Sequence, residues 1–189
     1  MEYLDVVDEN NKFTNEVKSR RLVHEKGLWH REIAVWIIKD KNKVLMQKRA
    51  ATKKLDPNKW ALTAGHIDAG EPIIKAAIRE VSEELGIENL GPSNFKLIHV
   101  QKCKYNKNRT VINNHFKYIY VLQTPLEENE FIIQKEELSE IKYLELNKLK
   151  NIQKNKANLE KYTKGLFEPE TKEVIEKIEE FLKEENYNA

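Results

Sequence analysis

The 189-residue chain contains a single cysteine, Cys103, so no disulfide can form within it. This excludes a disulfide scaffold and a cysteine-ligated metal site, and it suits a reducing compartment; packing inside a strand is the role expected for Cys103. No segment approaches the roughly 18 consecutive apolar residues that a membrane helix needs. Met1-Glu2-Tyr3-Leu4-Asp5 has no basic stretch followed by an apolar one, so no membrane anchor or signal peptide is read here, and a soluble, cytoplasmic protein is expected. Neither sign of charge prevails. With 33 Lys and Arg against 31 Asp and Glu, the net charge is +2, and nothing global calls for a nucleic-acid polymer as partner. Any phosphate affinity must come from local clusters. There is no repeat or low-complexity tract, and the length suits one catalytic domain with terminal elements and a core of its own.

What the chain does contain is a sequence of strands with helices between them. Residues 1–27 are polar, with Asp8-Glu9-Asn10-Asn11 as a turn between two extended pieces, and read as an N-terminal hairpin extension. From Glu32 to Ile38 the run Ile33, Ala34, Val35, Trp36, Ile37, Ile38 is apolar and largely β-branched, the mark of a strand buried on both faces. Asp40-Lys41-Asn42-Lys43 turns it into a second strand, Val44-Leu45-Met46-Gln47, with Lys48 and Arg49 at its end. Further strands are expected at Phe95 to Cys103, at His115 to Leu122, where Phe116, Tyr118, Tyr120 and Leu122 alternate, and at Ile141 to Leu146. His99 and His115 read as ordinary strand residues. Thr171 to Glu185 repeats apolar residues at 174, 175, 178, 181 and 182, a helix with one face to bury against the domain or a partner. The order predicts an α/β fold in which a mixed β-sheet is covered by helices, an α/β/α sandwich.

The chemistry is concentrated between Gly65 and Ile87. After Gly65 come five residues, Glu71, seven residues, then Arg79-Glu80-Val81-Ser82-Glu83-Glu84-Leu85-Gly86-Ile87. Pro72 suits a first helical position and Gly86 a left-handed stop, which predicts a helix from Pro72 to Leu85. Ile74, Ala77, Ile78, Val81 and Leu85 form the face turned to the sheet, and Glu80, Glu83 and Glu84 share another. Carboxylates at these offsets lie about 5–6 Å apart at Cβ and repel by a few tenths of a kcal/mol per pair. A divalent cation removes that repulsion, and magnesium in particular takes hard oxygen ligands. In a chain with 26 glutamates a local triplet alone reads as a solvated face. The full pattern, with two of only six glycines and one of only six arginines at fixed offsets, does not.

This segment resembles the Nudix box of the Nudix hydrolase superfamily at every constrained position. The resemblance implies a Nudix hydrolase domain over residues 28–189, including the helix at 171–185, and a Nudix-type sandwich. It implies that Glu80, Glu83 and Glu84, with the carbonyl of Gly65, hold Mg²⁺ or Mn²⁺, with Glu80 a candidate base. Arg79 and Glu71 would steady those glutamates and tie the loop to the helix. The reaction implied is metal-assisted attack of water on a phosphorus of an organic or nucleoside diphosphate, a small-molecule substrate. Some members of the superfamily take the activating carboxylate from a distant loop, and Glu136, Glu137 and Glu140 are the candidates here.

Beyond the box, His30-Arg31, Gln47-Lys48-Arg49-Ala50, Lys53, Trp60 and Gly65-His66 resemble the branch that contains type I isopentenyl-diphosphate isomerases, over roughly residues 3 to 146. In that branch Arg49 and Lys53 match residues that clamp the diphosphate, and His24, His30 and His66 fall near histidines of an additional metal site. Those isomerases carry a cysteine before the glycine-histidine pair; this chain has Ala64, which cannot move a proton. They also have a degenerate box, whereas this one keeps all three glutamates. Hydrolysis is therefore expected, with isomerisation and a catalytically silent metabolite-binding domain as the alternatives. Tyr105, Tyr118, Tyr120 and Trp36 are candidates to stack on an organic group, and the tail from Asn147 onward is expected to shape the pocket or a homodimer contact.

Overall fold

The structure, a computed structural model, describes residues 1–108, 111–167 and 169–187; the side chains of 105–108, 111, 156, 164, 167, 169–170 and 185–187 are not among those described. The stacking candidate Tyr105 and the end of the last helix, Glu185, lie outside the described side chains.

The expected N-terminal turn joins β1 (Tyr3–Val7) to β2 (Phe13–Ser19) in an antiparallel hairpin. A short helix follows that the periodicity does not announce, α1 (Arg20–Lys26). Its ends are marked locally: the Ser19 hydroxyl accepts from the N–H of Leu22, and Gly27 stops the helix at φ 63°. The hairpin does not hang free. The N–H of Ala69 donates to the carbonyl of Tyr3 at 2.9 Å and that of Gly70 to Asp5 Oδ2 at 2.9 Å, which tie it to the loop of the box.

The main sheet is mixed. Strand β3 (His30–Lys39) runs parallel to β8 (Val111–Gln123), which pairs antiparallel with β7 (Phe95–Asn108). Strand β4 (Lys43–Arg49) leaves β3 after two pairs, Ile38 with Val44 and Lys39 with Lys43. The hairpin expected there is thus short. The reason is that β6 (Thr63–His66) occupies the edge of β3 from Glu32 to Val35, while β4 turns aside to pair with β5 (Trp60–Ala61) and β9 (Leu138–Glu145). This splitting brings Gly65 and His66 beside Glu32 and Ile33.

Strand β3 is buried on both faces, as its unbroken apolar run requires. Ile33, Val35 and Ile37 pack under α2 (Ile73–Leu85); Ala34, Trp36 and Ile38 pack under α3 (Leu146–Lys154) and α4 (Pro169–Tyr187). Helix α4 buries Val174, Ile175, Ile178 and Leu182, so the apolar face at 171–185 meets the domain itself. Three layers result, the sandwich expected from the order of elements. Cys103 is buried in β7, a packing position. Among the described residues, no helix is long and apolar enough to cross a membrane.

Candidate active site and metal centre

Helix α2 begins one residue later than its sequence suggests, because Pro72 keeps an extended ψ of 134° and serves as the cap. It stops at Gly86, φ 69°, whose N–H donates to the carbonyl of Ser82 at 3.0 Å. A Cβ on Gly86 would also strike Ile132. Burial of Ala76, Ala77, Val81 and Leu85 fixes the rotation of the helix and so the direction of its glutamates. The three are not alike. Glu83 is exposed, with 55% of its side-chain surface open, Glu80 keeps 15%, and the whole of Glu84 only 8%.

Glu84 is turned under the helix toward β4. Gln47 Nε2 donates to its Oε2 at 2.6 Å, and Thr63 Oγ1 in turn donates to Gln47 Oε1 at 2.9 Å. Burial pushes the Glu84 carboxyl up to about 8, aided by the charges of Glu80 and Glu137 and opposed by the Gln47 hydrogen bond. Burial also raises Glu80, against the pull of Arg79. Two carboxyls within one helical turn are thus both raised by burial, and each adds to the cost of ionising the other.

Arg79 organises the other side. Its Nε and Nη2 each donate to one oxygen of Glu71 at 3.0 Å, its Nη1 donates to Glu80 at 2.8 Å, and its Nη2 also reaches the carbonyl of His66 at 3.1 Å. Burial alone would raise half-buried Glu71, but these bonds hold it below the ordinary carboxylate value. The fork thus ties the loop, the helix and β6 together, in the place expected of Arg79 and Glu71. At Gly65 a Cβ would run into the Glu80 side chain.

Across the sheet edge, Arg49 donates from Nε to the carbonyl of Leu55 at 3.0 Å, and its charge is felt at Glu84. Lys53 forms an ion pair with Glu137. That glutamate is held in place by backbone bonds that lace its segment to the end of α2: Ile132 N–H to Leu85 carbonyl at 3.1 Å, Gln134 N–H to Glu84 carbonyl at 3.0 Å, and Ala50 N–H to Glu137 carbonyl at 2.8 Å. Of the three remote glutamates the fold brings only Glu137 to the box. Glu136 is exposed, and Glu140 lies outward, 3.4 Å from Lys48 with 53% of its side chain open.

A second cluster adjoins the first through His66. Helix α1 carries His24, β3 carries His30 and Glu32, and β6 carries His66, with ligand atoms of all four within 4.8 Å of one another. Strand β8 adds His115, whose Nε2 stands 3.2 Å from Glu32 Oε2. His115 is therefore not the ordinary strand residue that its sequence context suggested. The parallel register of β3 and β8 sets it opposite His30. Glu32 was likewise missed, although a carboxylate two residues after His30, in an otherwise apolar strand, puts both on one face. Burial would raise Glu32, but His115, His30 and His66 around it outweigh that and hold it well below the usual value. Burial depresses His66 strongly, His24 less, and His115 to about 4. Imidazoles gathered around an ionised carboxylate are groups that could hold a metal ion. The buried Nε2 atoms of His30 and His115 stand 3.5 and 3.2 Å from the Glu32 carboxylate oxygens.

Of the aromatic candidates, Tyr118 and Tyr120 face the α2 layer: the Tyr118 hydroxyl accepts from Asn11 Nδ2 at 2.8 Å, and Tyr120 meets Phe95 edge-on. Neither reaches the site. Trp36 is on the other face, at the floor of a cavity of about 180 Å³ that Gln47, Arg49 and Ala64 join to the box, with Thr163 and Leu166 from the chain's tail closing it.

The NUDIX domain profile matches residues 28–166. The chain belongs to the Nudix family. It is 36% identical to Nudix hydrolase 3 of Arabidopsis thaliana over 149 residues, which cover 76% of this chain but only 19% of that protein. An uncharacterised Nudix hydrolase of Clostridium acetobutylicum is 33% identical over 149 residues, 77% of this chain and 70% of the relative. An isopentenyl-diphosphate delta-isomerase of Photorhabdus laumondii is 29% identical over 127 residues, 66% of this chain and 67% of its own length. The Nudix fold is shared with the crystal structure of DR0079 from Deinococcus radiodurans, at a TM-score of 0.66 and 18% identity over 94% of this chain and 99% of that one. Nudix hydrolases act on diphosphate linkages.

Proposed function

We propose that the protein hydrolyses the diphosphate linkage of a small organic diphosphate, with Mg²⁺ or Mn²⁺ held by Glu80, Glu83 and Glu84 beside Gly65. The observation that carries this reading is Glu84: a carboxyl buried beside a second buried carboxyl, with its pKa raised to about 8, is costly unless a cation is bound. The residues suit the ion. All are hard oxygen donors on one helical turn, and the missing side chain at Gly65 leaves the Glu80 carboxylate against open backbone. When bound, the cation supplies charge neutralisation at the diphosphate and a lower pKa for the attacking water.

The chain's own groups do the rest. Arg49 and Lys53 pair with diphosphate oxygens, which requires Lys53 to leave Glu137. Glu137, so released, accepts the proton of the attacking water. Arg79 and Glu71 keep Glu80 and the loop in register. The cluster of His24, His30, Glu32, His66 and His115 suits a softer divalent ion such as zinc, since imidazoles prefer it to magnesium. Ala64 gives the site no acid or base for moving a proton along a carbon chain, which disfavours isomerisation.

Release of inorganic phosphate or of an organic monophosphate tests the reading directly. With Mg²⁺, a panel of isopentenyl diphosphate, ADP-ribose and 5-phosphoribosyl 1-diphosphate is expected to yield monophosphate products, with release lost in Glu83→Gln and Glu84→Gln. Dimethylallyl diphosphate formed without phosphate would establish the isomerase instead. No product from any compound would leave a binding domain.

A further inference from the structure

Three histidines of the cluster share one orientation. His30 Nδ1 stands 3.2 Å from the carbonyl of Leu28 and His115 Nδ1 3.4 Å from that of Asn113, while the Nε2 of each faces a Glu32 oxygen at 3.5 and 3.2 Å. A carbonyl only accepts, so in the neutral ring the proton is on Nδ1 and the Nε2 lone pair points to the centre of the cluster. His66 turns the same way, with its Nε2 3.4 Å from Glu32 Oε1 and 3.3 Å from His24 Nε2. Behind its Nδ1 stands a side-chain carboxylate instead of a carbonyl, Glu2 Oε1 at 3.6 Å. At that distance the two are in ion-pair range, a few tenths of an ångström beyond a hydrogen bond.

Glu2 is held in place by α1. The N–H of Arg20 donates to the Glu2 carbonyl at 2.9 Å, and Arg20 Nη1 donates to Glu2 Oε2 at 2.7 Å. Oε2 is committed to Arg20, which leaves Oε1 for His66. Arg20 and His24 lie one turn apart on α1, so the helix that brings one imidazole to the cluster also clamps the carboxylate behind another. A carboxylate behind a ligating imidazole fixes its tautomer and ring orientation and raises its basicity. The backbone of His66 meanwhile belongs to the box, since its carbonyl accepts from Arg79 Nη2 at 3.1 Å.

Resting on the reading of the cluster as a site for a zinc-like ion, we propose that Glu2 is a positioning residue, which holds His66 with its proton on Nδ1 and its Nε2 bare for the metal. A residue ahead of the matched stretch 28–166 then prepares a ligand within it.

Glu2→Gln is the discriminating variant. Its single oxygen goes to Arg20, which can only donate, and its NH₂ is turned toward His66 Nδ1; a donor there favours the tautomer with the proton on Nε2, which cannot ligate. Two measurements on the full chain test this. In metal-free protein at about pH 8, where imidazoles are neutral, long-range ¹H–¹⁵N spectra should show His66 protonated on Nδ1, and on Nε2 in Glu2→Gln. Competition titration should show about 10–100-fold weaker Zn²⁺ binding in Glu2→Gln. His66 protonated on Nε2 in the unaltered protein, a tautomer unmoved by Glu2→Gln, or equal Zn²⁺ affinity of the two proteins overturns the assignment. If Glu2→Gln does not fold, the tautomer of the unaltered protein decides alone. Zn²⁺ binding that is absent, or indifferent to His66→Asn, would refute the metal site itself, and the tautomers would still decide whether Glu2 sets His66.

Discussion

Replacing Glu84 by glutamine should make the metal-free protein more stable at alkaline pH while destroying its function. In the unfolded chain this carboxyl titrates near 4.5; in the fold it titrates at about 8. Below 4.5 both states hold the proton and nothing is lost. Between 4.5 and 8 only the folded state keeps it, so stability drains away as pH rises, and above 8 the loss is complete. At 1.36 kcal/mol for each pH unit the loss amounts to about 5 kcal/mol. Solvent screening is small for a residue 8% exposed. The depressed histidines act with the opposite sign, costing stability below about 6.5 and none above. Comparing the two proteins at the same pH cancels them. Glutamine keeps an oxygen for the Gln47 amide but carries no charge. For a chain of this length about 5 kcal/mol corresponds to roughly 10–20 °C in melting temperature. In EDTA, Glu84→Gln should melt with the unaltered protein at pH 5 and up to that much above it at pH 8. Mg²⁺ should close the gap by stabilising the unaltered protein alone. A variant that melts at or below the unaltered protein at pH 8 in EDTA would refute the reasoning.

Three further outcomes are expected. Glu137→Gln should lower kcat by about 10²–10⁴-fold with a small change in KM and loss of the acid limb of the pH profile, whereas Glu136→Gln and Glu140→Gln stay near normal; an equal drop in Glu140→Gln would move the base elsewhere. Arg79→Lys keeps the charge but loses the fork to Glu71, so urea unfolding should show a loss of about 1–3 kcal/mol and the Mg²⁺ requirement should rise; an unchanged requirement contradicts the tie between loop and helix. Co²⁺ should give visible absorption bands from the histidine cluster that vanish in His66→Asn, weaken in His115→Phe, and fade as acid protonates the imidazoles; bands unaffected by either change would place the ion elsewhere.

The Nudix box was legible because it is one continuous segment: a loop, a cap and a helix whose period sets the offsets of Arg79, Glu80, Glu83 and Glu84. The fold was legible for a similar reason, since the unbroken apolar run of β3 demands cover on both faces and the helical stripe of α4 supplies part of it. Helix α1 was not legible, being seven residues long with one buried side chain, Val23, too little for a period to show. The roles of Gln47 and His115 were hidden too, because neither residue has a partner near it in the chain.

By itself, then, the sequence carried the reaction type proposed. Carboxylates three and four residues apart on a helix adjoin whatever surrounds them, and Ala64 lacks an acidic proton in any fold. Tertiary structure decided which glutamate is buried and which remote one arrives, that five residues from four separate elements come together, and how much room lies behind Ala64. Those depend on strand register: β6 displacing β4 from the edge of β3, and β8 running parallel to β3 so that His115 meets His30 and Lys117 meets Glu32. A register is a property of two segments at once, and no pattern within either one contains it.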